Sequence, residues 1–146
     1  LQEFVGKPQR AGVAEGVLLG GNLTVLGSMV GTGSLPSFDG AVLLIEDIGE
    51  KPYRLDRTLT QMVQAGVFNG LRGVVIGQLT RCDAPGEPDY GPVDVIADVL
   101  EPLDVPIAFG FPFGHEANSR AVVLGGQATL DASSGVLKVS TEGHNA

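Results

Sequence analysis

Two stretches constrain the fold more than any others: AVLLIED at 41–47 and RGVVIGQL at 72–79. Both are aliphatic runs, rich in β-branched residues, without a clean alternation of apolar and polar positions. Near-continuous apolarity suits strands covered on both faces, as in parallel sheets packed against helices. The segment between them, YRLDRTLTQMVQA at 53–65, is amphipathic instead. Leu55, Leu59, Met62 and Val63 share one helical face, with Pro52 before it and Gly66 after it.

The flanking sequence extends this strand–helix–strand order. GVAEGVLLG at 12–20 alternates loosely and reads as a strand. Gly20 and Gly21 then read as a turn, and Asn22 as the N-cap of a helix through LTVLGSMV. GTGSLPSFDG at 31–40 and CDAPGEPDYGP at 82–92 read as loops, VDVIADVLEPL as a third helix and VPIAFG as a short strand. AVVLGG, QATLD and GVLKVST each read as a short strand, joined by glycine-containing turns. The expected fold is an α/β domain with a mixed sheet, finished by a β-rich, antiparallel C-terminal tail.

Composition narrows what such a domain can do. At 146 residues the chain has room for one sizeable core, and its 22 glycines and 9 prolines favour many turns over long helices. A formal net charge of −8 repels a phosphate backbone, so nucleic acid is not an expected partner. No apolar run reaches the roughly 18–20 residues of a membrane span, and the expectation is a soluble domain without a membrane partner. The single cysteine, Cys82, excludes an internal disulfide and a multi-cysteine metal site. Asp83, Glu87 and Asp89 lack the spacing and the closing glutamate of a calcium loop. No metal or organic cofactor is called for.

Acid–base chemistry near neutral pH points to histidine, and the chain has His115 and, two residues from its end, His144. His115 stands in FGFPFGHEAN, after the strand VPIAFG, while Glu46 and Asp47 close the strand AVLLIED. Loops at the carboxyl ends of strands converge on the usual ligand crevice of open α/β sheets. Glu46 could therefore meet His115 and fix its tautomer, as the acid of a nucleophilic triad does. Taken singly, each has an ordinary reading: a loop histidine and a solvated strand end. No G-x-S-x-G elbow accompanies them, and Ser119, four residues after His115, has no strand-to-helix turn to expose it. Gly21 and Asn22 open a helix where free amides favour an anion, and Arg54 could meet Glu50, Asp56 or a substrate carboxylate.

AEGVLLGGNL at 14–23, GTGSLP at 31–36, LLIEDIGEKPYRLDR at 43–57, QMVQAG at 61–66, GVVIGQL at 73–79 and FGHEAN…VLGGQATLD at 113–131 form an ordered set. Together they resemble the C-terminal domain of the LD-carboxypeptidase family, serine peptidases that trim murein tetrapeptides and include microcin-resistance relatives. The resemblance implies a swivelling β/β/α-type domain, with residues 11–146 as the C-terminal domain and 1–10 as the connector to an absent N-terminal domain that carries the nucleophilic serine. It implies that Glu46 and His115 are the catalytic acid and base; Gly21, Asn22, Arg54 and Asn118 stand beside them as substrate-binding candidates. It further implies a murein-derived peptide as substrate, the protein's own N-terminal domain and a second copy as partners, no cofactor, and a cytoplasmic site of action. One departure is mild: Val122-Val123-Leu124-Gly125 stands where the family often has Leu-Pro before the glycine. The alternatives are a peptidase acting on peptidyl-nucleotides, and a binding or assembly domain without catalysis.

Overall fold

A computed structural model describes residues 1–86 and 89–142, so Glu87 and His144 lie outside the described residues. The elements run β1 (Gln2–Val5), β2 (Lys7–Arg10), β3 (Val13–Asn22), α1 (Leu23–Ser28), β4 (Ala41–Ile48), α2 (Pro52–Gln64), β5 (Gly73–Thr80), α3 (Pro92–Val99), β6 (Ile107–Phe109), β7 (Gln127–Asp131) and β8 (Val136–Val139), with a single 3₁₀ turn (Glu101–Leu103) after α3. The eight strands among the described residues join one mixed sheet in the order β1-β8-β7-β3-β4-β5-β6-β2. The β3–β4, β4–β5 and β5–β6 pairs are parallel, and the others antiparallel. This is the mixed α/β fold expected, with the antiparallel tail in β7 and β8.

The unbroken apolarity of β4 and β5 has its cause here. Leu43, Ile45, Val74 and Ile76 pack under α1, α2 and α3 with Leu55, Leu59 and Met62. Val42, Leu44 and Val75 alternate to the other face and meet Phe4, Leu18, Phe111, Phe113, Leu130 and Leu137. Both faces of the central strands are thus buried, and neither tolerates a polar side chain until the strands end.

Residues 1–10, expected as a connector, are built into the sheet. β1 pairs with β8 at one edge and β2 with β6 at the other, although only Gly6 separates them in sequence. A chain one residue long cannot bridge two distant edges, so the sheet curls until its edges converge on Gly6. The Gly6 N–H donates to Gly135 O at 2.7 Å, tying the junction to the β7–β8 turn.

Three smaller expectations change. Gly20 and Gly21 do not turn the chain; β3 continues through them to Asn22, in parallel register with β4 up to Glu46. AVVLGG forms no strand: β7 pairs with β3 over Val13–Val17, and the antiparallel ladder ends one residue later at Leu18. Its backbone bonds to β3 are those between Leu18 and residues Gly125 and Gly126. The third helix stops at Val99, and the residues up to Leu103 tighten into the 3₁₀ turn around Pro102.

Candidate functional site

The carboxyl ends of β4 and β5 gather the candidate residues. Alternation along β4 separates its two terminal acids: Glu46 continues the row of Val42 and Leu44, and Asp47 the row of Leu43 and Ile45. Asp47 therefore meets α1. Its carboxylate accepts from Thr24 N at 2.9 Å, Thr24 Oγ1 at 2.7 Å and Asn22 Nδ2 at 3.2 Å. Asn22 Oδ1 in turn accepts from Val25 N at 3.0 Å, which is the N-cap read from the sequence. The anion expected at this helix start is thus the protein's own Asp47.

Glu46 faces the loop after β6, where its Oε2 lies 2.9 Å from His115 Nδ1. A carboxylate only accepts, so Nδ1 carries a proton, and in the neutral ring Nε2 is the acceptor. The Glu46 side chain is 11% exposed and the His115 side chain 45%, a sheltered acid beside a reachable imidazole. No hydrogen bond engages Nε2 among the described residues.

The loop reaches Glu46 because β5 lets it lie close. Phe111 N donates to Ile76 O at 3.3 Å and Gln78 N to Phe113 O at 2.7 Å. At Gly77 a Cβ would stand 2.5 Å from Phe113 O, so any side chain there pushes the loop away. Gly114, at φ +143°, has a conformation that glycine alone adopts freely, and a Cβ there would sit 3.3 Å from Glu46 Oε2. The phenylalanines anchor the loop. Phe111 and Phe113 stack in parallel, and Phe4 of β1 meets Phe113 edge-on at 4.7 Å between centroids. Arg120 covers the Phe4 ring at 4.7 Å. Gln2 adds a second tie, donating to Ala121 O and accepting from Val123 N.

The remaining candidates divide. Gly21 has open space where a side chain would point and lies next to the Asn22–Glu46 register pair. Asn118 Oδ1 accepts from Gln78 Nε2 at 2.8 Å, so that atom serves the loop. Arg54 turns to Glu50 at 3.9 Å and Tyr53 Oη at 3.3 Å, on the exposed start of α2 and out of contact with the pair. Cys82 is fully buried with Sγ on Thr80 O, and desolvation pushes its thiol up from the ordinary range. Gln78, which sequence reading passed over, is the polar residue that closes β5; the glycine before it in an apolar run was the available signal of a bulge. A cleft of about 280 Å³ lies beside it, lined by Gln78, Pro92, Val93, Phe111, Glu116 and Asn118 among others. Among the described residues no three histidine, cysteine or acidic side chains cluster to hold a metal, and no helix is long and apolar enough to cross a membrane.

Residues 15–130 match the LD-carboxypeptidase C-terminal domain. The chain belongs to the LD-carboxypeptidase family. It is 35% identical over 132 residues to the murein tetrapeptide carboxypeptidase of Pseudomonas aeruginosa, covering 90% of this chain and 42% of that protein. The crystal structure of muramoyltetrapeptide carboxypeptidase from Oxalobacter formigenes matches with a TM-score of 0.82 at 30% identity, over 97% of this chain and 50% of that one. The microcin C7 self-immunity protein MccF shares the fold, with a TM-score of 0.79 at 24% identity over 95% of this chain and 40% of its own. The chain spans less than half the length of the curated relatives it matches. In this LD-carboxypeptidase domain the matched span begins inside β3 and ends inside β7, so β1, β2 and β8 fall outside it.

Proposed function

We propose that this chain is the C-terminal half of a serine-type LD-carboxypeptidase that hydrolyses the L,D-peptide bond and releases terminal D-alanine from murein tetrapeptides. The observation that carries the reading is the 2.9 Å hydrogen bond between Glu46 Oε2 and His115 Nδ1, which leaves Nε2 free on a half-exposed ring. A carboxylate on Nδ1 holds the tautomer whose Nε2 accepts a proton, and it stabilises the imidazolium once formed.

In the complete enzyme, Nε2 takes the proton from a serine hydroxyl of the upstream half as that oxygen attacks the scissile carbonyl. The C–N bond then breaks and the same proton passes to the leaving amine of D-alanine. Water repeats the sequence on the acyl-enzyme, with Nε2 again as base, and the serine is restored. Gly21, open and beside Glu46, lines the substrate side of the pair. Residues 1–10 lead in from the serine-bearing domain while closing the sheet. The same reading places the enzyme in the cytoplasm, with a murein-derived peptide as its substrate.

In full-length protein assayed on a murein tetrapeptide, His115→Ala and Glu46→Ala are each expected to lower kcat by about 10⁴-fold or more. Near-normal turnover by His115→Ala would overturn the assignment. The 146-residue chain alone, without the upstream serine, is expected to release no D-alanine. Turnover of a peptidyl-nucleotide but not of the tetrapeptide would keep the mechanism and change the substrate.

A further inference from the structure

We propose that Gln78 is the positioning residue of the Glu46–His115 pair: its backbone N–H holds the loop before the imidazole, its side-chain amide holds it after, and the two together set where Nε2 points. The proposal rests on the catalytic reading above and deepens it.

Gln78 reaches the loop through an irregularity of β5. Ile45 of β4 faces Ile76, but Asp47 faces Leu79, so two residues of β5, Gly77 and Gln78, stand against Glu46 alone. Such a bulge interrupts strand alternation and re-aims a side chain. Val74 and Ile76 pack on the helix side, and regular alternation would send Gln78 after them. The extra residue gives that place to Leu79, which packs against the helix-side core. Gln78 turns to residues 113–119 instead.

There it is 8% exposed and bonded at each polar end. Its backbone N donates to Phe113 O at 2.7 Å. Nε2 donates to Asn118 Oδ1 at 2.8 Å, while Oε1 accepts from Glu116 N at 3.0 Å and lies 3.4 Å from Ser119 Oγ, whose proton goes to Gly114 O at 2.9 Å. The amide cannot sit the other way round, because Glu116 N needs an acceptor. These contacts straddle His115. Gly114 fills the space between, where a Cβ would be 2.9 Å from Gln78 Cβ and 3.3 Å from Glu46 Oε2. Glutamine, loop and carboxylate therefore pack without slack, and releasing the amide lets the ring drift. A misplacement of about 1 Å in a catalytic group costs on the order of 10²-fold in rate.

Two variants of the full-length protein test this. Gln78→Met keeps the side-chain volume and loses all the amide's hydrogen bonds. Gln78→Glu keeps the acceptor for Glu116 N, and Asn118 can turn its own amide to donate to the new carboxylate. Gln78→Met is expected to lower kcat on the murein tetrapeptide about 10–100-fold, with KM within about threefold, and Gln78→Glu to recover most of the loss. In ¹⁵N-histidine-labelled protein, the His115 Nδ1–H resonance is assigned by its absence from His115→Ala. It should stand in wild type and Gln78→Glu and broaden away in Gln78→Met. A folded Gln78→Met protein with wild-type kcat, or with that resonance unchanged, overturns the proposal. Should Gln78→Met not fold, Asn118→Ala, which removes one arm of the clamp, must still weaken the resonance, and an unaltered signal overturns the proposal. If His115→Ala itself leaves turnover intact, the catalytic reading fails, and the nitrogen spectrum still decides whether Gln78 holds the ring.

Discussion

Glu46 and Asp47 carry the same charge one position apart, yet strand alternation gives them unrelated tasks. One carboxylate holds an imidazole; the other ties down the start of α1. The pairing of Glu46 with His115, residues 69 positions apart, was open to sequence reasoning because both close or follow predicted strands at the same sheet edge. Environment separates the two tyrosines as well. The Arg54 side chain, hydrogen-bonded to Tyr53, holds that phenol below its ordinary value, whereas donation to Asp98 pushes Tyr90 up to about 12. Alkaline absorbance titration should therefore show the described chain's phenols ionising in two steps, and Tyr90→Phe should delete the upper one. The folded Tyr90 holds its proton more tightly than the unfolded residue, at 10.0. Its contribution to stability is thus complete below that value and is lost as pH rises toward about 12. A single step at the ordinary phenol value would contradict both contacts.

The packing of the His115 loop on β5 explains why Gly77 interrupts an otherwise apolar strand. Replacing it by alanine puts a methyl 2.5 Å from Phe113 O and 3.3 Å from Glu46 Cβ. Gly77→Ala is expected to cost about 1–3 kcal/mol in urea unfolding and to lower kcat, by moving the loop as a unit. Unchanged values of both would mean that the loop accommodates the methyl elsewhere. Elements with strong periods were readable: α2 from its apolar face, and β4 and β5 from runs that neither face interrupts. AVVLGG has equal apolarity and no strand, because its backbone meets β3 only at Leu18 and its earlier residues are held by the Gln2 side chain instead. KPQR has no apolar pattern at all and becomes β2 solely because β6 offers it an edge.

Those first ten residues have a consequence for the molecule as a whole. They close both edges of the sheet and send Phe4, 1% exposed, into the core that carries Phe111 and Phe113. Phe4→Ala should cost about 3–5 kcal/mol in chemical denaturation, a value typical of a buried ring removed from a filled core. Deleting residues 1–10 should abolish the cooperative melt altogether. A truncated protein that melts as sharply as the parent would show that the segment is only a connector. The same segment touches the His115 loop through Phe4 and the residues just after it through Gln2.

What could be read along the chain was what local chemistry repeats: strand and helix periods, the Asn22 cap, and the acid and histidine at strand ends. These depend on neighbours within a few residues, and composition preserves them. The closure of the sheet at Gly6 and the bulge that turns Gln78 depend on partners far away in sequence or on a one-residue slip in register. Long-range pairing and register carry no local pattern, because the free energy that selects them comes from contacts formed only when the whole sheet assembles.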